Sequence, residues 1–227
     1  DPNASLCSLA KTATKSVPSV GRFARSSTTS QVSRIAVWDM DAVFPAINRT
    51  LDAMNSSQDV FGFQLVDLSV PLGVWDINEG EKVSYLWAER LADRLQRMPM
   101  ELGAEVMACV TRHWMRDDNW LNLYGWWPTN HRPPIVFFSI AGFDELPSEG
   151  PETDRAIANA AVTALAGFYG GIDAHNQSKT CPMWSNDGRD FKHLIGKEEF
   201  DAASRKLLKS KLGAKFGALE KLLKTFL

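Results

Sequence analysis

The chain has 227 residues, 44% hydrophobic and 23% charged, with a formal net charge of −2. That length and balance suit one domain with a real core, and they exclude a fully disordered chain, a coiled coil and a collagen-like repeat. Three cysteines, Cys7, Cys109 and Cys181, are too few for a disulfide framework and point to a reducing compartment. No apolar run approaches the roughly 20 residues that cross a bilayer. The charge is uneven. Lys11, Lys15, Arg22, Arg25 and Arg34 make the first segment basic, seven Lys and Arg make 201–227 basic, and the body between them is acidic.

Residues 1–33 read as an extended basic arm. They are rich in Ser, Thr, Lys, Arg and Ala, lack hydrophobic periodicity and begin at Asp1 rather than Met. That composition resembles an organelle transit segment, which implies a mitochondrial, matrix-side location, with the cytoplasm as the alternative. The body, 34–207, reads as a single α+β unit. Residues 34–38 form a short apolar strand. Val43, Ile47, Leu51 and Met54 give helical spacing from Ala42, stopped by Asn55-Ser56-Ser57. Residues 60–70 alternate as a second strand. Residues 81–98 predict an amphipathic helix on Val83, Leu86, Trp87, Leu91 and Leu95, ended by Pro99. A third strand covers 106–111. A Trp-rich excursion follows, and then a fourth strand over 135–140. An Ala-rich helix spans 154–168 and breaks at Gly170-Gly171. Residues 200–227 return to helix. Within them Leu208, Leu212, Phe216, Leu219, Leu223 and Phe226 form one stripe with lysines largely off it, so 208–227 predicts a basic amphipathic helix.

Two motifs carry chemistry. Asp39 and Asp41 follow the first strand in the order Trp38-Asp39-Met40-Asp41-Ala42-Val43. This resembles the nucleophile loop of haloacid-dehalogenase-type phosphatases, which implies Asp39 as nucleophile, Asp41 as acid and base, Thr111 on the phosphate and a Mg²⁺ ion. The plainer reading, preferred here, makes Asp39 and Asp41 caps of the helix starting near Ala42.

The second motif lies in the C-terminal half. Anchored on Cys181-Pro182-Met183, the segment resembles the archaemetzincin pattern H-E-x-x-H-x-x-G-x-x-H-C-x4-C-x-M-x17-C-x-x-C. The resemblance implies a twisted mixed metzincin-like sheet with helices. It also implies a catalytic zinc held by three histidines and a second zinc held by four cysteines. The register puts Leu165, Tyr169 and His175 on the histidines and Ala166 on the general-base glutamate. Ile172 falls on the glycine, and Asn176, Cys181, Asp201 and Ser204 fall on the cysteines. Only His175 and Cys181 are retained, two ligands where zinc needs at least three.

These departures predict degenerate catalytic positions at Leu165, Ala166, Tyr169 and His175, no metal ligand set and no cofactor. The function they imply is that of an inactive pseudoenzyme serving as an accessory subunit of a large mitochondrial assembly. Its partners would be other protein subunits, with no small-molecule substrate and with peripheral membrane or RNA contact through the basic ends. Two partner surfaces follow: Ile135, Phe137 and Ser139 on the strand that lines the family's cleft, and Leu212, Phe216, Leu219, Leu223 and Phe226 on the terminal helix. The alternative is a hydrolase, either a phosphatase using Asp39 and Asp41 or a divergent peptidase. His113, His131 and His193 have no ligand spacing, and Trp114, Trp120, Trp126 and Trp127 predict packing rather than base stacking.

Overall fold

The computed structural model describes residues 32–73, 77–79, 83–186 and 188–227, so the arm expected over 1–33 falls almost wholly outside the described residues. In chain order the elements are β1 (Ser33–Asp39), α1 (Ile47–Ser57), β2 (Phe61–Leu65), β3 (Ile77–Glu79), β4 (Ser84–Trp87), α2 (Ala88–Leu95), α3 (Met98–Leu102) and β5 (Val106–Thr111). There follow β6 (Trp114–Arg116), β7 (Leu121–Leu123), β8 (Gly125–Trp126), β9 (Ile135–Ser139), α4 (Pro151–Gly170), α5 (Phe191–Ile195), α6 (Ala202–Leu212) and α7 (Ala214–Lys224).

The main sheet has the order β2-β1-β5-β9-β8. Its first four strands are parallel, and β8 closes one edge antiparallel to β9. The sequences of β1, β5 and β9 are near-continuous apolar runs, as strands covered on both faces must be. Alternation splits their side chains. Ile35, Val37, Val110 and Phe138 face one core with α1, α4 and α7, while Ala36, Trp38, Cys109 and Phe137 face a second core with α2. A smaller sheet, β3-β4-β6-β7, lies beside the main one. Among the described residues no helix is long and apolar enough to cross a membrane.

The expected strands over 34–38, 106–111 and 135–140 stand, but several helix boundaries move. α1 starts at Ile47 rather than Ala42. The Asp39 carboxylate takes the Val43 and Phe44 amides at 2.8 and 2.9 Å, Ala42 sits at φ 48°, and Pro45 follows, so the chain turns before it coils. α1 ends at Ser57, within the expected Asn55-Ser56-Ser57 stop, where the Ser56 and Ser57 hydroxyls donate back to the Asp52 and Met54 carbonyls of its last turn. The helix expected over 81–98 is corrected: 84–87 pair between β3 and β6, and the ladder overrides helical spacing. Pro99 does not end a helix. It lies in the first turn of α3, where its missing N–H costs nothing.

The helix expected over 208–227 is also corrected. Gly213, at φ 54°, separates α6 from α7, and α6 runs across the 207/208 boundary. α7 folds back on α4. Phe216, Leu219 and Leu223 are buried in the same core as Leu165, and Leu212 and Phe226 are half-buried against it. The stripe expected to meet a partner is therefore spent on the chain's own core. Ile135, Phe137 and Ser139 are likewise fully buried, because β9 lies between β5 and β8 and is not an open edge.

α4 is the scaffold for everything that follows. Pro151 opens it and Glu152 and Asp154 complement its first turn. Gly171 ends it at φ 54°, with Gly171 N–H on the Phe168 carbonyl and Ile172 N–H on the Gly167 carbonyl. No other residue fits there without strain, and a Cβ would come within 2.9 Å of the Thr129 carbonyl.

Candidate metal centre

The loop after α4 folds back on itself. His175 N–H donates to the Met183 carbonyl and Ser185 N–H to the His175 carbonyl, both at 2.8 Å, which lays His175 alongside 183–185. Cys181 lies in the turn between them and is fully buried. The third participant comes from further along. Asp201 caps α6, with Oδ1 accepting the Ser204 amide at 2.9 Å. Its other oxygen, Oδ2, lies 2.8 Å from His175 Nε2 and accepts the Ser204 hydroxyl at 3.1 Å.

His175 Nε2 is 3.6 Å from Cys181 Sγ and 3.1 Å from Ser204 Oγ. One donor atom each from His175, Cys181 and Asp201 lies within 4.8 Å of the others. Nδ1 of His175 accepts the Gln177 amide at 3.2 Å, so the ring proton is on Nε2 and points at Asp201. Thiol and carboxylate thus share one ring nitrogen. A nucleophilic relay needs them on opposite nitrogens, so this is no Cys-His-Asp triad.

Burial pushes the Cys181 thiol above its ordinary value, with the neighbouring Asp201 charge adding to the rise. Burial also works against the Asp201 carboxylate. The Ser204 amide, the Cys181 thiol, the Ser204 hydroxyl and His175 together outweigh it and hold Asp201 below the usual range. An acceptor-rich, partly buried group of N, S and O atoms suits zinc. Ligand atoms around tetrahedral zinc lie roughly 3.3–3.8 Å apart. The sulfur–nitrogen separation already meets that, and the histidine–carboxylate hydrogen bond has to lengthen by about 0.5 Å. For His175 to hold a metal through Nε2, its ring proton would have to sit on Nδ1, which would cost the Gln177 contact. The donor set fits a metal ion after this small adjustment.

The other expected positions do not join it. Leu165 lines an apolar pocket of about 40 Å³ between α4 and the sheet, together with Val37 and Phe138. Ala166 is fully buried. Tyr169 packs its ring on Phe61 and Phe168, and burial raises its hydroxyl's pKa. Leu165 and Tyr169 therefore serve the sheet side of α4. On the loop side stand Thr163, whose hydroxyl bonds the Pro182 carbonyl at 2.9 Å, and Gly167, which lies against the Trp127 indole.

Asp39 does not cap a helix at Ala42: it takes the Val43 and Phe44 amides in a turn ahead of α1, whose own N-cap is Ala46. Asp41 does not cap one either: it accepts the Thr111 hydroxyl at 2.8 Å and the Arg112 amide at 2.7 Å, tying the ends of β1 and β5 together. The phosphatase-like loop is thereby a structural one, with Thr111 engaged by Asp41 rather than held ready for phosphate. His113 faces Asp41, His131 Nδ1 lies 2.7 Å from the Phe168 carbonyl, and His193 lies near Asp190. Trp114, Trp126 and Trp127 pack as expected, while Trp120 is 68% exposed.

Sequence reasoning missed the triad because it weighed His175 and Cys181 alone. The signal was present: the register that placed Asp201 and Ser204 on the family's last two cysteines names the two residues that complete the cluster.

No family model matches the chain, and no curated protein matches it in sequence. Solved structures do. Archaemetzincin from Methanopyrus kandleri matches with a TM-score of 0.59 at 15% identity, over 80% of this chain and 96% of that one. A zinc-dependent peptidase from Methanocorpusculum labreanum matches with a TM-score of 0.56 at 13% identity, over 77% of this chain and 99% of that one. The chain has an archaemetzincin-like fold. The expectation of an inactive, metal-free accessory subunit is overturned on two counts. The folds it matches include a protein described as a zinc-dependent peptidase, and three ligand-type side chains converge where only two had been counted.

Proposed function

We propose that the chain is a divergent metal-dependent peptidase whose metal is held by His175, Cys181 and Asp201. The observation that carries this reading is the convergence of imidazole, thiol and carboxylate within 4.8 Å. Three protein ligands would leave a fourth position open, as a catalytic zinc needs. Zinc bound there supplies a Lewis acid for a scissile carbonyl and for a water molecule. The chain's own residues set the stage. The α6 cap orients the Asp201 carboxylate, the loop bridge orients His175, and burial keeps Cys181 away from bulk solvent. The His175 and Asp201 side chains stay 19% and 16% exposed, which leaves the cluster a solvent-facing side.

A second reading rests on Ser204. Its hydroxyl, 3.1 Å from His175 Nε2, makes a fourth oxygen donor, and a closed four-donor site would clamp α6 to the loop instead of reacting. One experiment separates the two. The full chain is stripped with chelator, reloaded with zinc, analysed for metal and incubated with a mixed peptide library read by mass spectrometry. The peptidase reading expects one zinc per chain and cleavage, both lost in His175→Ala. Zinc without cleavage supports the clamp, and no stoichiometric zinc overturns both.

A further inference from the structure

Lys197 is fully buried, and among the described residues it makes no ion pair with a carboxylate. A lysine in that position costs free energy, so its contacts need a reason. Its ammonium donates to the Pro182 carbonyl at 3.0 Å and to Thr163 Oγ1 at 3.2 Å, and it lies 4.9 Å from the Tyr124 ring centroid. Thr163 Oγ1 in turn is 2.9 Å from the same Pro182 carbonyl and 2.8 Å from the Asn159 carbonyl on α4. Two side chains thus reach a single carbonyl, Lys197 from the segment before α6 and Thr163 from α4, with the one Thr163 hydroxyl proton shared between this carbonyl and that of Asn159. It belongs to the residue immediately after Cys181. Proline brings no N–H of its own, so this carbonyl is the backbone group through which Pro182 itself is held, alongside the turn's own Cys181 N–H to Ser178 and Trp184 N–H to Cys181 bonds.

We infer that Lys197 is a positioning residue for the metal site: with Thr163 it fixes the Pro182 carbonyl and thereby aims Cys181 Sγ at His175 and Asp201. The inference rests on the metal reading given above. Hydrogen bonds that orient a ligand, without touching the ion, typically control affinity by 10- to 100-fold. A lysine that served folding alone would not act this way, because replacing a buried charge by an apolar side chain of similar length commonly leaves the fold as stable or more so. The two roles therefore predict opposite pairings of stability and affinity.

The test titrates the metal-stripped full chain with cobalt(II) and follows the thiolate-to-cobalt absorption in the near ultraviolet, alongside thermal melts without metal. Wild type is expected to bind one cobalt with a thiolate band. Lys197→Met is expected to melt no lower than wild type, to bind cobalt 10- to 100-fold more weakly and to show a reduced band at saturation. Thr163→Val removes the second grip while keeping the lysine, and is expected to weaken binding in the same sense. Unchanged affinity in both variants, or affinity and melting temperature falling together in both, overturns the positioning role and leaves the metal reading standing. Wild type without a thiolate band overturns both.

Discussion

The two sides of α4 are built on opposite rules. Toward the sheet it presents Ile157, Ala160, Ala161, Ala164 and Leu165, an apolar surface that lines a small apolar pocket. Toward the loop it presents Asn159, Thr163 and Gly167, which bond or abut the Leu194 carbonyl, the Pro182 carbonyl and the Trp127 indole. The first side is interchangeable hydrocarbon whose job is cohesion. The second is a set of specific polar and steric contacts, two of them to the segment that carries His175, Cys181 and Asp201. The lesson is that one helix can carry cohesion on one face and position-specific contacts on the other.

The sharpest way to break that contrast is to damage the sheet side and look for an effect on the metal. Leu165→Ala enlarges an existing cavity and should cost about 2–5 kcal/mol by denaturant titration, with cobalt affinity unchanged in the folded fraction. A change in affinity would mean the two sides are not separable. On the loop side, Gly167→Ala places a Cβ 2.2 Å from the Trp127 ring. It should cost about 1–3 kcal/mol, shift tryptophan fluorescence and weaken metal binding together.

Lys197 supplies a pH signature. Burial lowers its pKa to about 7. Below that value both folded and unfolded chains hold the proton. Between it and the ordinary lysine range only the unfolded chain does, so stability rises with pH by about 1.4 kcal/mol per unit. Melts of metal-stripped protein from pH 7.5 to 9 should show the rise, and Lys197→Met should abolish it. Asp201 gives a smaller effect of the same sign, in the acid range. Its lowered pKa contributes stability above the ordinary carboxylate range, lost as pH falls through the folded value. Asp201→Asn keeps a cap acceptor but should flatten that acid limb, at a cost of about 1 kcal/mol near neutrality.

The parts of the fold legible in the sequence were those set by local pattern. The apolar runs of β1, β5 and β9 and the Ala-rich α4 with its Gly171 stop follow from burial and capping alone. The β4 strand did not, because Leu86 and Trp87 keep helical spacing with Leu91 and only pairing with β3 and β6 reveals them. The residues of the C-terminal stripe are apolar positions that do pack inward, but they sit on two helices rather than one, and amphipathicity does not say whose surface they meet. The break at Gly213 lets the second half return to α4. The site was half-legible. His175 and Cys181 are six residues apart and could be paired by eye, while Asp201 arrives from another element, and only the fold brings it to them. Leu165 and Tyr169 were placed by counting, and counting carries no information about which way a helix faces.

Asp201 gives one oxygen to the first turn of α6 and the other to His175. The carboxylate that starts a helix is also the one that completes a ligand set. This sets an order of assembly. Until α6 has nucleated and docked, the histidine and the thiol face an incomplete site, and two donors on a loop hold a metal poorly. The three donors thereby come together only in a chain whose C-terminal helices are in place.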